Sequence, residues 1–166
     1  MQINFLPEHD NKDLTKASKE YTEIWQKDGI KIIKTIEDIT SLTFVENKIN
    51  SIVFEGISHS HPMCLRASYS ELEKKATLVH ELCHRVFVSN KVRLPMREEP
   101  QVLLAHRVVD LVLYDILVEL YGEEFAKKNV EAESSRSREY AQAWEWAMNM
   151  SKEDRQEQFQ ELTQPL

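Results

Sequence analysis

A chain of 166 residues with net charge −7, 42% of it hydrophobic and 30% charged, has the size of one ordinary domain and the balance of a globular protein rather than a disordered one. No apolar run approaches the roughly 20 residues of a spanning helix, and the negative charge, with no Lys/Arg stripe interleaved with aromatics, speaks against a phosphate-backbone partner. Neither a membrane nor a nucleic acid is therefore expected among its partners.

Met1 to Asp10 carries neither a basic region nor a sustained apolar one, so no export signal is read and a cytoplasmic location is the default expectation. Leu14, Ala17, Tyr21, Ile24 and Trp25 recur at helical spacing over 13–27, and Asp28-Gly29 is expected to interrupt or end that helix. Ile30 to Ile39 alternates poorly and fits either continued helix or a strand; helix is the preferred reading, which makes 1–40 a helical N-terminal part. Leu42 to Val45 and Ile49 to Phe54 are rich in β-branched and aromatic residues on either side of the turn-like Glu46-Asn47-Lys48, and predict two adjacent strands. Gly56 to Pro62 reads as a loop and Met63 to Tyr69 as a third, edge-like strand, so that 41–69 forms a small sheet.

Ser70 followed by Glu73 is a capping-box pattern that starts a helix running to about Val88, with Leu72, Ala76, Val79, Cys83 and Val86 as its buried stripe. Cys64 and Cys83 fall in apolar segments and are expected as reduced, buried thiols. Pro100 and Gly122 bracket a second helix of about twenty residues, apolar almost all round and hence central. Further helices are expected in 123–166, packing through Ala143, Trp144, Ala147 and Met148, with Ser151 as a cap. Three glycines and no internal repeat leave no linker, so 1–166 is read as one α+β domain: a short three-stranded sheet packed on a helical bundle.

Within 70–122, His80-Glu81-Leu82-Cys83-His84 is an HExxH pattern, whose i, i+4 histidines share one helix face and can grip one Zn²⁺. Glu81 lies about 100° round the axis from His80, where it can hold a water without taking a coordination position, as a general base must. Zinc lowers the pKa of such a water and polarises a carbonyl. This composition produces the pattern by chance in roughly two or three chains per hundred, so its place in the middle of a capped helix after strands is what gives it weight.

A catalytic zinc takes a third protein ligand. The second helix offers His106 and Asp110, four residues apart on an inward surface with Leu103, Leu113 and Leu117. A carboxylate buried there needs a partner, and the simplest arrangement makes His106 the ligand and Asp110 the acceptor of its other N–H.

The HExxH helix, a ligand about twenty residues on and an Asp four residues after it resemble the gluzincin metallopeptidases, the thermolysin-like enzymes among them, and most closely the minimal single-domain forms. The resemblance covers about residues 43–121. Where the family has Glu in an ExxxD pattern, this chain reads His106-Arg107-Val108-Val109-Asp110, so Glu98, Glu99 and Asp110 stand as alternatives to His106. The resemblance implies a zincin-like domain with an antiparallel or mixed sheet, whose edge strand, here Met63 to Tyr69, holds an extended polypeptide substrate by strand addition. It also implies a hydrolase, a protease using one Zn²⁺ per chain. Residues 123–166 would then form the lower cleft wall or cover the site.

Other candidates carry less. His59 and His61, two apart, would point to opposite faces of a strand and are read as loop residues. Tyr114, eight residues after His106, is a candidate oxyanion stabiliser on the same face, against the blander reading of a core tyrosine. Asp115 is expected to pair with a base or a helix end, and Trp144 and Trp146 to pack. The alternative function is a catalytically silent or latent zincin-like module that binds a protein partner, its zinc structural.

Overall fold

The residues Gln2–Pro7 alternate in the period of a half-buried strand: Ile3 and Phe5 face inward while Gln2 and Leu6 face solvent. They form β1 of the structure, a computed structural model that describes residues 1–93 and 99–163. Helix α1, Lys12–Thr40, follows and returns the chain to β2, Lys48–Phe54, which lies parallel to β1 in the register Gln2↔Lys48 to Pro7↔Val53. A long helix between parallel strands is the connection such a pair requires. Strand β3, Cys64–Arg66, adds to the other side of β2, again parallel, giving the order β1-β2-β3. Then come α2 (Glu71–Ser89), α3 (Gln101–Tyr121), α4 (Glu123–Ser134), α5 (Arg138–Met148) and α6 (Lys152–Thr163).

Several expectations are corrected. Helix α1 runs without a break through Gly29, which is buried; a Cβ there would stand 2.8 Å from the Trp25 ring, so the glycine makes room for the indole. The segment 42–45 is not a strand: Leu42 and Phe44 pack onto the core from an irregular stretch, and the Glu37 carboxylate accepts the Phe44 N–H. The third strand is β1, inside the part expected to be helical throughout, and the sheet is parallel rather than antiparallel or mixed. The edge strand is also shorter than expected, three residues instead of 63–69.

The helical half follows the sequence closely. Ser70 caps α2 with the full reciprocal box, its Oγ accepting the Glu73 N–H while Glu73 accepts the Ser70 N–H at 2.9 Å. Pro100 and Gly122 flank α3 as expected. Helix α3 is the hub, touching α1, α2, α4, α5 and α6, which is why it is apolar on nearly every side. Ser151 Oγ accepts the Asp154 N–H before α6. Ala143, Trp144 and Ala147 are buried, but Met148 lies exposed at the end of α5. Asp115 on α3 takes two 2.9 Å hydrogen bonds from Arg155 of α6, and both cysteines are free and buried. Among the described residues no helix is long and apolar enough to cross a membrane.

Candidate metal centre

Helix α2 is buried on every side from Ala76 to Cys83, so the side chains of its central turn project into protein rather than water. His80 and His84, one turn apart, bring their Nε2 atoms within 3.1 Å of each other. His106 from α3 completes the group: the three histidines offer ligand atoms that all lie within 4.8 Å of one another. Tetrahedral zinc with nitrogen ligands at about 2.0–2.1 Å sets them about 3.3 Å apart, a spacing that these rings reach by small rotations.

The proton positions fit a cation as well. His106 donates Nδ1–H to the Val102 carbonyl at 2.7 Å, which leaves its Nε2 as a lone pair. His80 Nδ1 stands 3.2 Å from Glu133 Oε1, an ion-pair approach without hydrogen-bond geometry; a carboxylate there favours the proton on Nδ1 and leaves Nε2 for the group. Burial, together with the neighbouring His80 charge, pulls His106 down to about 4 and His84 well below the ordinary imidazole range. Both are therefore neutral, as metal ligands must be. Burial also pulls on His80, but the Glu133 and Glu81 carboxylates more than offset it and its pKa is raised.

Glu81 faces the same cleft but forms no part of the nitrogen group. Burial, with Glu133 adding to it, pushes its carboxyl up to about 7, against the opposing pull of His80 and Arg136. A carboxylate poised near neutrality is what a general base at neutral pH requires.

Two sequence-based assignments are corrected. Asp110 is not the acceptor for His106, whose Nδ1–H goes to its own helix; Asp110 is fully buried, and neither carboxylate oxygen has a hydrogen-bond partner. Burial and the nearby Glu133 raise its pKa well above the carboxylate range, so it is held as the neutral acid. Tyr114 lies outside the cleft, with the Arg155 guanidinium 5.6 Å from its ring centre. Glu99, an alternative third ligand, is bonded to Arg107 at 2.7 Å, and Glu98 lies outside the described residues. His59 and His61 sit in the loop after β2, their Nδ1 atoms bonded to Pro62 O and Ser60 Oγ, and neither joins the group. Buried Arg85 of α2 clamps that loop by binding both Glu46 and the Ser60 carbonyl. Trp144 and Trp146 pack away from the cleft, as expected.

The cleft has a volume of about 890 Å³, at the upper end for a small-ligand site. It is lined by the loop after β2, by the stretch from Arg66 to Tyr69, and by Ala132 to Tyr140 at the α4–α5 corner, where Arg136 meets the Tyr69 ring. The C-terminal region is thus a wall and not a plug: no residue from 141–163 lines the cleft. That corner supplies three residues the sequence reading did not pick out. Glu133 orients His80 and also accepts the Trp144 Nε1–H at 2.9 Å. Tyr140 lays its ring 4.2 Å from that of His106, and burial, with Glu133 and Glu81, holds its hydroxyl protonated. Arg136 flanks them. The available signal was the apolar face of α4, where Ala126, Asn129, Val130 and Glu133 recur at helical spacing: a glutamate on a buried face requires a partner.

No family model matches this chain, and no curated protein or solved structure matches it either. Fold and site together define a small α+β domain with a three-histidine group that could hold a metal ion at the floor of an open cleft.

Proposed function

We propose that this protein is a zinc-dependent peptide hydrolase of the zincin kind, related in its mechanism to the gluzincins, with His80, His84 and His106 as ligands and Glu81 as general base. The observation that carries the reading is the combination of three convergent imidazoles with a carboxylate beside them in the cleft but outside the ligand group. Three protein ligands leave a tetrahedral ion one open position, the mark of a catalytic rather than a structural zinc, which takes four. The imidazole set and its Nδ1 partners suit zinc among the biological cations.

A zinc ion bound here supplies Lewis acidity, lowering the pKa of a coordinated water and polarising a substrate carbonyl. Glu81 takes the proton as the water oxygen bonds to the carbonyl carbon. It returns that proton to the amide nitrogen as the carbon–nitrogen bond breaks, so that one water is consumed and an acid and an amine are released. Tyr140, held protonated in the same cleft, is placed to donate to the oxygen that becomes negative, the role first sought in Tyr114.

The reading is tested by incubating the zinc-loaded chain and its Glu81→Gln variant with a mixed peptide library and following new termini by mass spectrometry. Cleavage by the first and none by the second, with equal zinc content, is the expected result. Cleavage that survives in the variant removes Glu81 from the mechanism, and no cleavage by either favours the silent binding module.

A further inference from the structure

The cleft contains a cation whose hydrogen-bonding capacity is unspent. Arg136, at the α4–α5 corner, has Glu73 at 3.7 Å and Glu133 at 3.8 Å, near enough to hold it electrostatically and too far for hydrogen bonds. Both carboxylates have other partners, although the Glu73 oxygen that faces Arg136, Oε1, is not one of the atoms Ser70 takes. One oxygen of Glu73 takes the Ser70 N–H and Oγ–H at 2.9 and 2.8 Å; Glu133 is divided between His80 and the Trp144 indole. Arg136 Nη2 is buried without any hydrogen-bond partner. A buried N–H of a charged group left unpaired costs about 1–3 kcal/mol or more, and the guanidinium borders a large cleft.

Its orientation is fixed by Tyr69, whose ring centre lies 4.6 Å from the guanidinium carbon. Nη2 itself is buried, but the side chain keeps part of its surface and lines the cleft, so it is the remaining N–H groups of the guanidinium that can meet a planar anion there. Arg66, on the cleft at 5.6 Å from the same ring, donates its Nε to Ser68 and has the Glu55 carboxylate at 3.6 Å. One oxygen of Glu133 stands within 3.2 Å of His80 Nδ1 and 3.8 Å of Arg136, and both residues line the same cleft, so one ligand can reach Arg136 and the histidine group together.

We propose that Arg136 is the anchor for a carboxylate of the substrate, making this a cleft for peptides that present a negative group near the bond at the metal centre. This rests on the peptide-hydrolase reading, which it narrows to a substrate class. The carboxylate is either the chain terminus or an acidic side chain.

A binding experiment tests it apart from catalysis. Zinc-loaded Glu81→Gln protein, which cannot turn over, is titrated calorimetrically with acetyl-Ala-Leu as free acid and as amide, and with acetyl-Ala-Glu-amide and acetyl-Ala-Gln-amide. At least tenfold tighter binding of the acid in one pair is expected, the first pair marking a terminal carboxylate and the second an acidic side chain. Adding Arg136→Gln should abolish that preference while the neutral peptides bind as before. Equal binding within both pairs, or a preference that survives Arg136→Gln, overturns the proposal. Should Arg136→Gln fail to fold, Arg136→Lys keeps the charge beside Glu73 and Glu133 but loses the fork; it should reduce the preference several-fold, and an unreduced preference is again an overturning result. A preference for acids in a chain that cleaves no peptide sinks the hydrolase reading and leaves the carboxylate site standing.

Discussion

At the scale of single residues, His80 has two neighbours through its two nitrogens: Nδ1 approaches Glu133, and Nε2 turns to His84 in the group proposed to hold zinc. Outer partners of this kind typically contribute 10- to 100-fold in metal affinity. Glu133→Gln should therefore weaken zinc binding by about that factor at pH 8, measured by competition with a chromophoric chelator; unchanged affinity would remove Glu133 from the site. The same imidazole sets a pH dependence. Burial lowers its pKa, but Glu133 and Glu81 more than offset that, so it holds a proton to higher pH than an ordinary imidazole. Zinc must displace that proton, so affinity should already be falling as pH drops through about 6.5, the ordinary imidazole value. A flat affinity from pH 8 to 6 would contradict it. Asp110 acts on stability instead. Its folded-state pKa lies well above the carboxylate range, so its contribution is full below about pH 4 and declines as pH rises, because the unfolded chain ionises Asp110 while the folded chain must keep its buried, unpartnered acid protonated. Metal-free Asp110→Asn should lose less Tm than the parent chain between pH 5 and pH 8; parallel losses would show that Asp110 is solvated.

Among the elements, the buried Asp115–Arg155 pair fastens α6 to α3 through two hydrogen bonds. Breaking a buried pair typically costs about 3–5 kcal/mol, because the surviving charge is stranded. Arg155→Met should show a loss of that order in urea unfolding, and a loss below about 1 kcal/mol would mean that α6 is held by Phe159 and its apolar neighbours alone. The helices were legible in the sequence because their signals are local: the Ser70–Glu73 box, Pro100 and Gly122 each act within a few residues. The sheet was less so. Leu42 to Val45 has strand composition, but no strand lies beside it, and Leu42 and Phe44 are satisfied by packing. Gln2–Pro7 pairs with residues some 46 positions away, a contact that propensity cannot register, although its alternation of inward and outward residues was there to read. Gly29 misled for a different reason: what decides its effect is the Trp25 ring one turn back, not its intrinsic preference. Of the site, the HExxH motif and His106 were visible as spacing. Glu133, Arg136 and Tyr140 come from a helix corner whose approach to α2 is a tertiary fact.

For the molecule as a whole, sheet and helix bundle hold α2, α3 and the α4–α5 corner around one cleft, and the groups that converge there are poorly paired among themselves. His80 and Glu81 have raised pKa values, and Arg136 Nη2 lacks a partner. Such an arrangement stores instability that a ligand relieves. A cation that binds only the folded chain adds about 2.7 kcal/mol at a hundredfold excess over its Kd, so zinc should raise Tm, and chelation should lower it. Everything proposed about chemistry passes through that ion. The most direct measurement is the zinc content and affinity of the purified chain beside its His84→Ala and His106→Ala variants, with the coordination shell read by X-ray absorption. One zinc per chain, three imidazole ligands with an open or water-filled position, and affinity lost in both variants is the predicted result. No zinc at micromolar availability, or a His106→Ala variant that binds as tightly as the parent, would contradict the three-histidine centre and the hydrolase built on it.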